Sequence, residues 1–350
     1  MVRRIRFIAG GTVGDRIEWL FDTDQPKTGM VASRSDGTKN LAGMVVQDAV
    51  LTYKFCPGLT LDSGILTIDP SHNGLTSSAR YFGNDAFAYA SLQNTPLGNA
   101  TSREVGLSGR GLLGPHVEYH LAVTNGLREN GADNASTNPA APSSAQIAGN
   151  NAFRLTGRLQ YDLFDNEGAG YTAAGYYFGA KKIISFGLGY DRQDSYKQLT
   201  GDVFVDLPVN GGDVFTFEGN YWKYDGGAWL PTLLKQKDWS LQAGYTFKDT
   251  HFSPIIRFES RRLDTPGYSK LGVPITTAAS WTTTPGSFDE DRQCLGFAYW
   301  MKNQRANLKV FYNNIQPKNR GGNGTVGPVG IDSGYRSYHQ ITAQLQVLAW

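Results

Sequence analysis

Apolar and polar residues alternate with a period of two along most of the chain, in segments of about ten residues. In 153–163, Phe153, Leu155 and Leu159 lie on one face, and arginine, threonine and glutamine side chains lie on the other. Residues 238–248 repeat the scheme. This alternation is typical of a β-strand with one apolar face and one polar face.

The same pattern predicts fifteen strands, and therefore an all-β protein. They span 3–10, 16–23, 44–55, 59–69, 101–111, 116–124, 151–163, 182–191, 198–207, 213–223, 237–248, 252–264, 290–301, 305–315 and 335–349.

The connections between these strands alternate in length. The short ones are 11–15, 56–58, 112–115, 208–212, 249–251 and 302–304. The long ones are 24–43, 70–100, 125–150, 224–236, 265–289 and 316–334. Outer-membrane β-barrels have short periplasmic turns and long extracellular loops. A soluble β-sandwich, the competing interpretation, gives no reason for a long loop at every second connection.

Residues 164–181 fit this alternation worst, because they stand where a short periplasmic turn is expected. They form either an enlarged turn or extensions of the neighbouring strands. The pattern leaves both interpretations open.

A sheet in a bilayer has to close, because unpaired backbone groups at an open edge cannot face lipid. Bacterial single-chain barrels have even strand counts. We therefore expect a transmembrane, antiparallel, up-and-down β-barrel of 16 strands, built as one domain over 1–350, with a first strand upstream of residue 1. The apolar part of 1–9 is too short for a signal peptide, and Trp350 resembles the terminal aromatic assembly signal of such barrels.

Composition narrows the class of protein. No segment reaches the roughly 18 to 20 apolar residues of a membrane-spanning helix, and 42 Gly with 18 Tyr, 18 Phe and 7 Trp favour strands and tight turns. A net charge of +2 offers no basic excess for nucleic-acid binding. The two cysteines, Cys56 and Cys294, form neither a disulfide framework nor a metal cluster.

The sequence resembles the phosphate-selective porin O/P family of outer-membrane channels. The matching segments are RRIR at 3–6 followed by 10–15, QDAVLTY at 47–53, LTLDSGILTIDP at 59–70 with LTSS at 75–78, and 153–162, 187–191 and 296–300. The resemblance implies a 16-stranded barrel, a homotrimer, and a third extracellular loop, here 70–100, that folds into the lumen and forms the constriction. This loop has Arg80 as its only Arg or Lys, alongside Asp85 and His72, whereas a phosphate-selective constriction requires a basic cluster.

The candidate pore-lining residues are polar positions on the predicted inward faces and in this loop. They are Arg80, Asp85, Glu118, Arg154, Arg158, Arg257, Glu259, Arg261, Arg305 and Lys309. Arg154, Arg158, Arg257 and Arg261 either form a wall that attracts anions or are neutralised by lumenal carboxylates.

The sequence does not support a metal site, a dinucleotide site or a catalytic site. His116 and His120 lie on one strand face with Glu118, but they are too far apart to chelate one ion. GNGTVG at 322–327 lacks the strand and helix of a dinucleotide site, and 125–150 is expected to be a flexible extracellular loop. We expect no catalytic site, no metal and no cofactor.

The sequence therefore predicts a non-enzymatic porin of the bacterial outer membrane. It would pass small hydrophilic solutes or ions by diffusion, with a weak anion preference. The alternative is a barrel that acts as a scaffold or sheath for a partner, such as a periplasmic redox protein inserted into its lumen. That partner would have to bring its own haem, because the chain has no CxxCH motif.

Overall fold

Fifteen strands form one antiparallel sheet in the computed structural model, which describes residues 4–26, 44–90, 103–126, 152–227, 229, 233–264, 289–318 and 337–348. Each strand pairs with its neighbours in sequence, from β1 to β15. The strands are Arg4–Val13 (β1), Ile17–Pro26 (β2), Val45–Cys56 (β3), Leu59–Thr67 (β4), Arg103–Leu112 (β5), Val117–Thr124 (β6), Arg154–Asp162 (β7), Ile183–Gln193 (β8), Tyr196–Pro208 (β9), Val214–Asp225 (β10), Gln236–Thr246 (β11), Phe252–Leu263 (β12), Asp289–Gln304 (β13), Ala306–Lys318 (β14) and Tyr338–Val347 (β15).

The fold class predicted from alternation is confirmed: the chain is an all-β, up-and-down β-barrel of the porin type. Every predicted strand is present, and the boundaries differ by a few residues. Three predictions fall partly or wholly outside the described residues: the terminal aromatic Trp350, the end of the constriction loop at 91–100, and most of the flexible loop at 125–150. Within the described part of the chain, no helix has the length and apolar character needed to cross a membrane.

The two faces of the sheet differ sharply in composition and in exposure. Leu155 is 52% exposed and Leu188 is 67% exposed, whereas Arg154 is 1% exposed. Because neighbouring side chains point to opposite faces, β7 presents leucines outward and charged or polar side chains inward. An outward apolar face and a polar inward face match the environment of a strand between lipid and a wet lumen.

Two connections depart from the short and long alternation. Asp194 and Ser195 join β8 to β9 in a tight hairpin at the end where the long connections lie, and Asp194 has a φ of 53°. At the opposite end, 163–182 joins β7 to β8. This segment is an enlarged turn, as one of the two interpretations predicted, and it does not extend β7 or β8. It folds onto the inward face.

Candidate functional site

The candidate site is formed by two segments that enter the lumen from opposite ends of the barrel. Residues 68–90, which follow β4 and include the described part of the predicted constriction segment 70–100, are called the constriction loop after that prediction. Residues 163–182, between β7 and β8, are called the turn insert. Both carry buried side chains.

The constriction loop begins with one helical turn, His72–Leu75 (α1). Ser71 caps this turn, because its Oγ accepts a hydrogen bond from the Gly74 amide at 3.1 Å. The Asp69 carboxylate in turn accepts from the Ser71 amide at 2.8 Å and from its hydroxyl at 2.7 Å. These local bonds satisfy the first backbone groups of a turn that lies deep in the lumen.

Two glycines allow the loop and the wall to approach closely. A Cβ on Gly189 of β8 would stand 1.9 Å from the Pro70 carbonyl oxygen. A Cβ on Gly83 of the loop would stand 2.1 Å from Nη2 of Arg257. A larger residue at Gly189 would force the loop away from the wall, because the obstructing atom belongs to the backbone, whereas at Gly83 the Arg257 side chain would have to move.

Basic side chains of the wall hold the loop by its backbone carbonyls. Arg158 Nη1 donates to the Pro70 oxygen at 3.3 Å, while its guanidinium pairs with Asp202 at 2.5 Å and 2.8 Å. Lys309 Nζ donates to the carbonyl oxygens of Tyr81 at 2.5 Å and Gly83 at 2.9 Å. These cations therefore fix backbone positions in the loop.

The outer part of the loop packs on β12 and β13. Arg257 Nη2 donates to the Asp85 carbonyl at 3.1 Å, and its guanidinium lies 5.0 Å from the centre of the Phe87 ring. The Ala88 amide donates to Glu259 at 2.5 Å. Arg261 lies 5.3 Å from the centre of the Tyr89 ring.

The turn insert is bound to the wall on the side of β3 to β6. The Tyr171 hydroxyl donates to Asp48 Oδ1 at 2.8 Å and accepts from the Thr67 amide at 2.7 Å. Glu118 accepts from the amides of Gly168 and Ala169, both at 2.7 Å. The insert thus presents backbone N–H groups to a buried carboxylate, which satisfies both partners.

Aromatic packing secures the other end of the insert. The Tyr176 ring lies 5.0 Å from Phe82 of the loop and 5.3 Å from Trp300 of β13, measured between centroids. Phe178 meets Trp300 edge-on at 5.1 Å and adopts a φ of 56°, a conformation that costs a bulky residue about 1–3 kcal/mol. Gly179 follows with a φ of 74°, so the chain reverses at this point.

The two segments meet directly in the lumen. Thr76 and Ala173 form an isolated parallel β-bridge. The Ala173 amide donates to the Leu75 oxygen at 3.0 Å, and the Ser77 amide donates to the Ala173 oxygen at 3.3 Å. The constriction loop is therefore paired through its backbone with the turn insert.

His72 supplies a charged contact beside this bridge. Its Nε2 lies 3.2 Å from the Glu167 carboxylate of the insert, and its Nδ1 lies 3.1 Å from Glu218 Oε1 of β10. The ring stacks on Phe204 at a centroid distance of 4.3 Å. Burial by itself would lower the pKa of His72, but the two carboxylates outweigh it and raise the pKa to about 10.

The Glu167 carboxyl responds in the opposite direction. Burial would raise its pKa, but the adjacent His72 and the Tyr177 hydroxyl, which donates to it at 2.7 Å, bring the pKa below its ordinary value. The pair is therefore ionised at neutral pH and links the two segments by a buried ion pair.

A small cavity of about 20 Å³ separates the insert from the wall, with His72, Glu118, His120, Arg158 and Glu167 in its lining. This volume is enough for about one water molecule. His116, the other candidate of the strand pattern, has its Nδ1 2.8 Å from the Asp162 carbonyl oxygen. Among the residues that the structure describes, no group of three or more His, Cys, Asp or Glu side chains is placed to hold a metal ion.

The structure divides the ten candidate pore-lining residues by their exposure. Arg80 and Arg305 are exposed, and Asp85 and Arg261 are half-buried. The buried ones, each 8% exposed or less, are Glu118, Arg154, Arg158, Arg257, Glu259 and Lys309.

Arg154 shows how the buried cations are neutralised. Its Nη1 donates to Glu104 at 2.6 Å, and its Nε and Nη2 contact Asp191 at 2.9 Å and 2.5 Å. Arg257 lies 3.7 Å from Glu259, and its Nε donates to the Gln242 side chain at 3.0 Å.

The sequence pattern did not identify the lumenal residues of the turn insert. Glu167, Tyr171, Tyr176 and Tyr177 all make buried contacts there. The available signal was the aromatic and glycine-rich composition of 164–181 at a place where a short turn was expected.

Solved structures that are similar to this chain in fold include outer-membrane porins. Acinetobacter baumannii OccAB3 has a TM-score of 0.53 at 11% identity, covering 98% of this chain and 79% of that chain. Salmonella typhi OmpF, solved in complex with daunomycin, has a TM-score of 0.52 at 12% identity, covering 97% of this chain and 87% of that chain. Pseudomonas aeruginosa OpdK, solved with vanillate, has a TM-score of 0.51 at 11% identity, covering 98% of this chain and 88% of that chain. At these identities the likeness establishes the fold alone.

No family model matches the sequence, and no curated protein matches it. The resemblance to the phosphate-selective O/P family therefore stays a prediction.

Proposed function

We propose that the chain is an outer-membrane porin through which small hydrophilic solutes diffuse passively. The observation that carries this proposal is the pair of segments that narrow a polar lumen inside an apolar outer face. Thr76 of the constriction loop is bridged to Ala173 of the turn insert, so the narrowing is a built part of the fold. A porin uses such a narrowing to exclude large solutes while small ones pass.

We further propose that the anion preference is weak. Arg154, Arg158 and Arg257 are buried, and each has a carboxylate within 4.0 Å. A paired buried cation contributes little field to a passing ion. The Arg80 guanidinium is exposed on the constriction loop and is the cation we expect to act on permeating anions. One exposed arginine in the described part of this loop gives no support to phosphate selectivity.

The sheath hypothesis has less support. An inserted partner protein would need the space in which the constriction loop and the turn insert are anchored to opposite walls. Tyr171 reaches Asp48 of β3, and His72 reaches Glu218 of β10. The described lumen is thus bridged by the chain's own segments. The homotrimer remains an expectation from family resemblance.

Planar-bilayer recording tests the proposal directly. Purified protein is expected to give stepwise, ohmic conductance, and its reversal potential in a KCl gradient is expected to show a small anion preference. A bilayer that stays silent with correctly folded protein would overturn the channel proposal. A stoichiometric subunit that copurifies and blocks conductance would support the sheath instead.

A further inference from the structure

Asp238 of β11 is a carboxylate that the contacts described above leave without a partner. The residue is 0% exposed, and neither Oδ1 nor Oδ2 has a hydrogen-bond partner. The inward-facing Asp191 and Asp202, by contrast, are paired with arginines. An ionised carboxylate buried without a partner is strongly destabilising, because it loses its hydration and gains nothing in return.

The residue opposite Asp238 on the neighbouring strand does not hydrogen-bond to it. Trp222 of β10 is its cross-strand partner on the inward face, so the two Cβ atoms are about 4.5–5.5 Å apart. The Trp222 Nε1–H is also buried without a partner. The carboxylate therefore does not accept a hydrogen bond from the indole facing it, although the register brings the two side chains together.

Asn220 adds a further acceptor at the neighbouring inward position of β10. It is 4% exposed, and its Oδ1 has no partner, while its Nδ2 donates to Glu218 at 3.3 Å. Asp238 and Asn220 are diagonal neighbours across the strand pair and lie on the same inward face. Together they present three unpartnered oxygens to one region of the wall.

Apolar residues of the constriction loop cover this region on the lumenal side. One positively charged and one negatively charged residue act on Asp238 from within the sheet. Phe87 and Ala90 of the constriction loop pack in one buried cluster with Trp222. Arg261, the register partner of Asp238 on β12, attracts its charge, and Asp289 repels it. Arg261 lies over the Tyr89 ring and makes no hydrogen bond to Asp238.

We propose that Asp238 and Asn220 bind a small monovalent cation in the lumen wall, where the constriction loop covers β10 and β11. Carboxylate and amide oxygens are the ligands that hard cations prefer. One carboxylate matches a single positive charge, and the described residues place no group of three acidic or imidazole side chains for a divalent ion. The bound cation supplies the direct contact to the Asp238 oxygens that Arg261 does not make, and the apolar cover protects it from exchange with bulk water. The proposal does not depend on transport.

Unfolding of the detergent-solubilised protein by urea, an uncharged denaturant, tests this site. The unfolding midpoint is measured in NaCl, in KCl and in choline chloride at equal ionic strength. Because a ligand that binds only the folded state raises stability, the wild-type midpoint should be higher in NaCl or KCl than in choline chloride, whose cation is too large for the site.

Three variants assign the effect. Asp238→Asn should abolish the difference between the salts and raise the midpoint in choline chloride, because it removes the uncompensated charge. Asn220→Ala should reduce the difference between the salts. Asp225→Asn is the matched control: it removes a negative charge from the end of β10, where Asp225 pairs with exposed Lys235, and should leave the difference unchanged.

Two results would overturn the cation site. One is a wild-type midpoint that is equal in all three salts, as expected if the Asp238 carboxyl is simply protonated. The other is a salt difference that persists in Asp238→Asn. Since neither measurement involves conductance, failure of this site and failure of the porin proposal are distinguishable.

Discussion

Thr76 and Ala173 form a parallel β-bridge in the lumen, although the chain reaches them from opposite ends of the barrel. Thr76 belongs to a long connection after β4, and Ala173 belongs to the connection between β7 and β8. The position of the constriction therefore depends on both segments, because each is fixed to its own wall and to the other.

A disulfide placed at this bridge should form without disturbing the fold. Paired strands lie about 4.7–4.9 Å apart, within the Cα separations that disulfides span. In a Cys56→Ser background, the double variant Thr76→Cys/Ala173→Cys should oxidise to a crosslink, detected by mass spectrometry of thiol-labelled peptides. Conductance should be nearly the same in the oxidised and reduced states. Thr76→Cys/Ala180→Cys is the control; efficient crosslinking of this pair would show that the loop is not fixed.

Removing the Lys309 ammonium should release part of the constriction loop. Its Nζ donates to two buried carbonyl oxygens, those of Tyr81 and Gly83, and lies 5.0 Å from the Trp300 ring centre. Lys309→Met should therefore destabilise the docked loop by about 2–4 kcal/mol. Single-channel recordings should show larger and noisier conductance than wild type. Lys302→Met, on the exposed end of β13, should behave as wild type; equal noise in both variants would contradict the anchoring role.

The buried ion pair between His72 and Glu167 should give the protein a pH-dependent stability. The pKa of His72 is raised from 6.5 to about 10, so its stabilisation is fully present below about pH 6.5 and is lost as pH rises through about 10. Glu167→Gln removes one of the groups that raise this pKa, so the loss should begin at lower pH. Urea midpoints measured across this range provide the test.

Asp165→Asn is the matched control for that measurement. Asp165 lies on the same insert but is exposed, and it accepts a hydrogen bond from the Lys182 amide. Its pH profile should follow wild type. A Glu167→Gln profile that also coincides with wild type would mean that the imidazolium is not held by Glu167.

Ion selectivity should respond to exposed rather than buried arginines. Arg80 is exposed on the constriction loop, whereas Arg154 is 1% exposed and paired with Glu104 and Asp191. Arg80→Gln should shift the reversal potential in a KCl gradient toward cation preference.

Arg154→Met should leave that potential nearly unchanged while lowering stability by about 3–5 kcal/mol, because it leaves two buried carboxylates unpaired. Arg192→Met, an exposed position in the facing strand, controls for the loss of one positive charge. A larger shift from Arg154 than from Arg80 would favour the arginine wall considered from the sequence.

The alternation of residues such as Leu155 and Arg154 was sufficient to predict the strands, because side-chain direction in a strand has a period of two and each face meets a different solvent. The same pattern predicted which residues face inward. It did not predict their partners, since a period-two pattern contains no information about which inward residues come within contact distance.

The sequence by itself thus determined the fold class, the order of the strands and the two faces of the sheet. Only the tertiary structure decided what fills the lumen. Tyr171 meets Asp48 across 123 positions of sequence, and His72 meets Glu167 across 95. Such contacts arise because the curved sheet encloses a common space into which both segments fold. The contacts of the turn insert could not be predicted for the same reason, because its composition does not show which buried carboxylate or ring lies opposite its tyrosines and glycines.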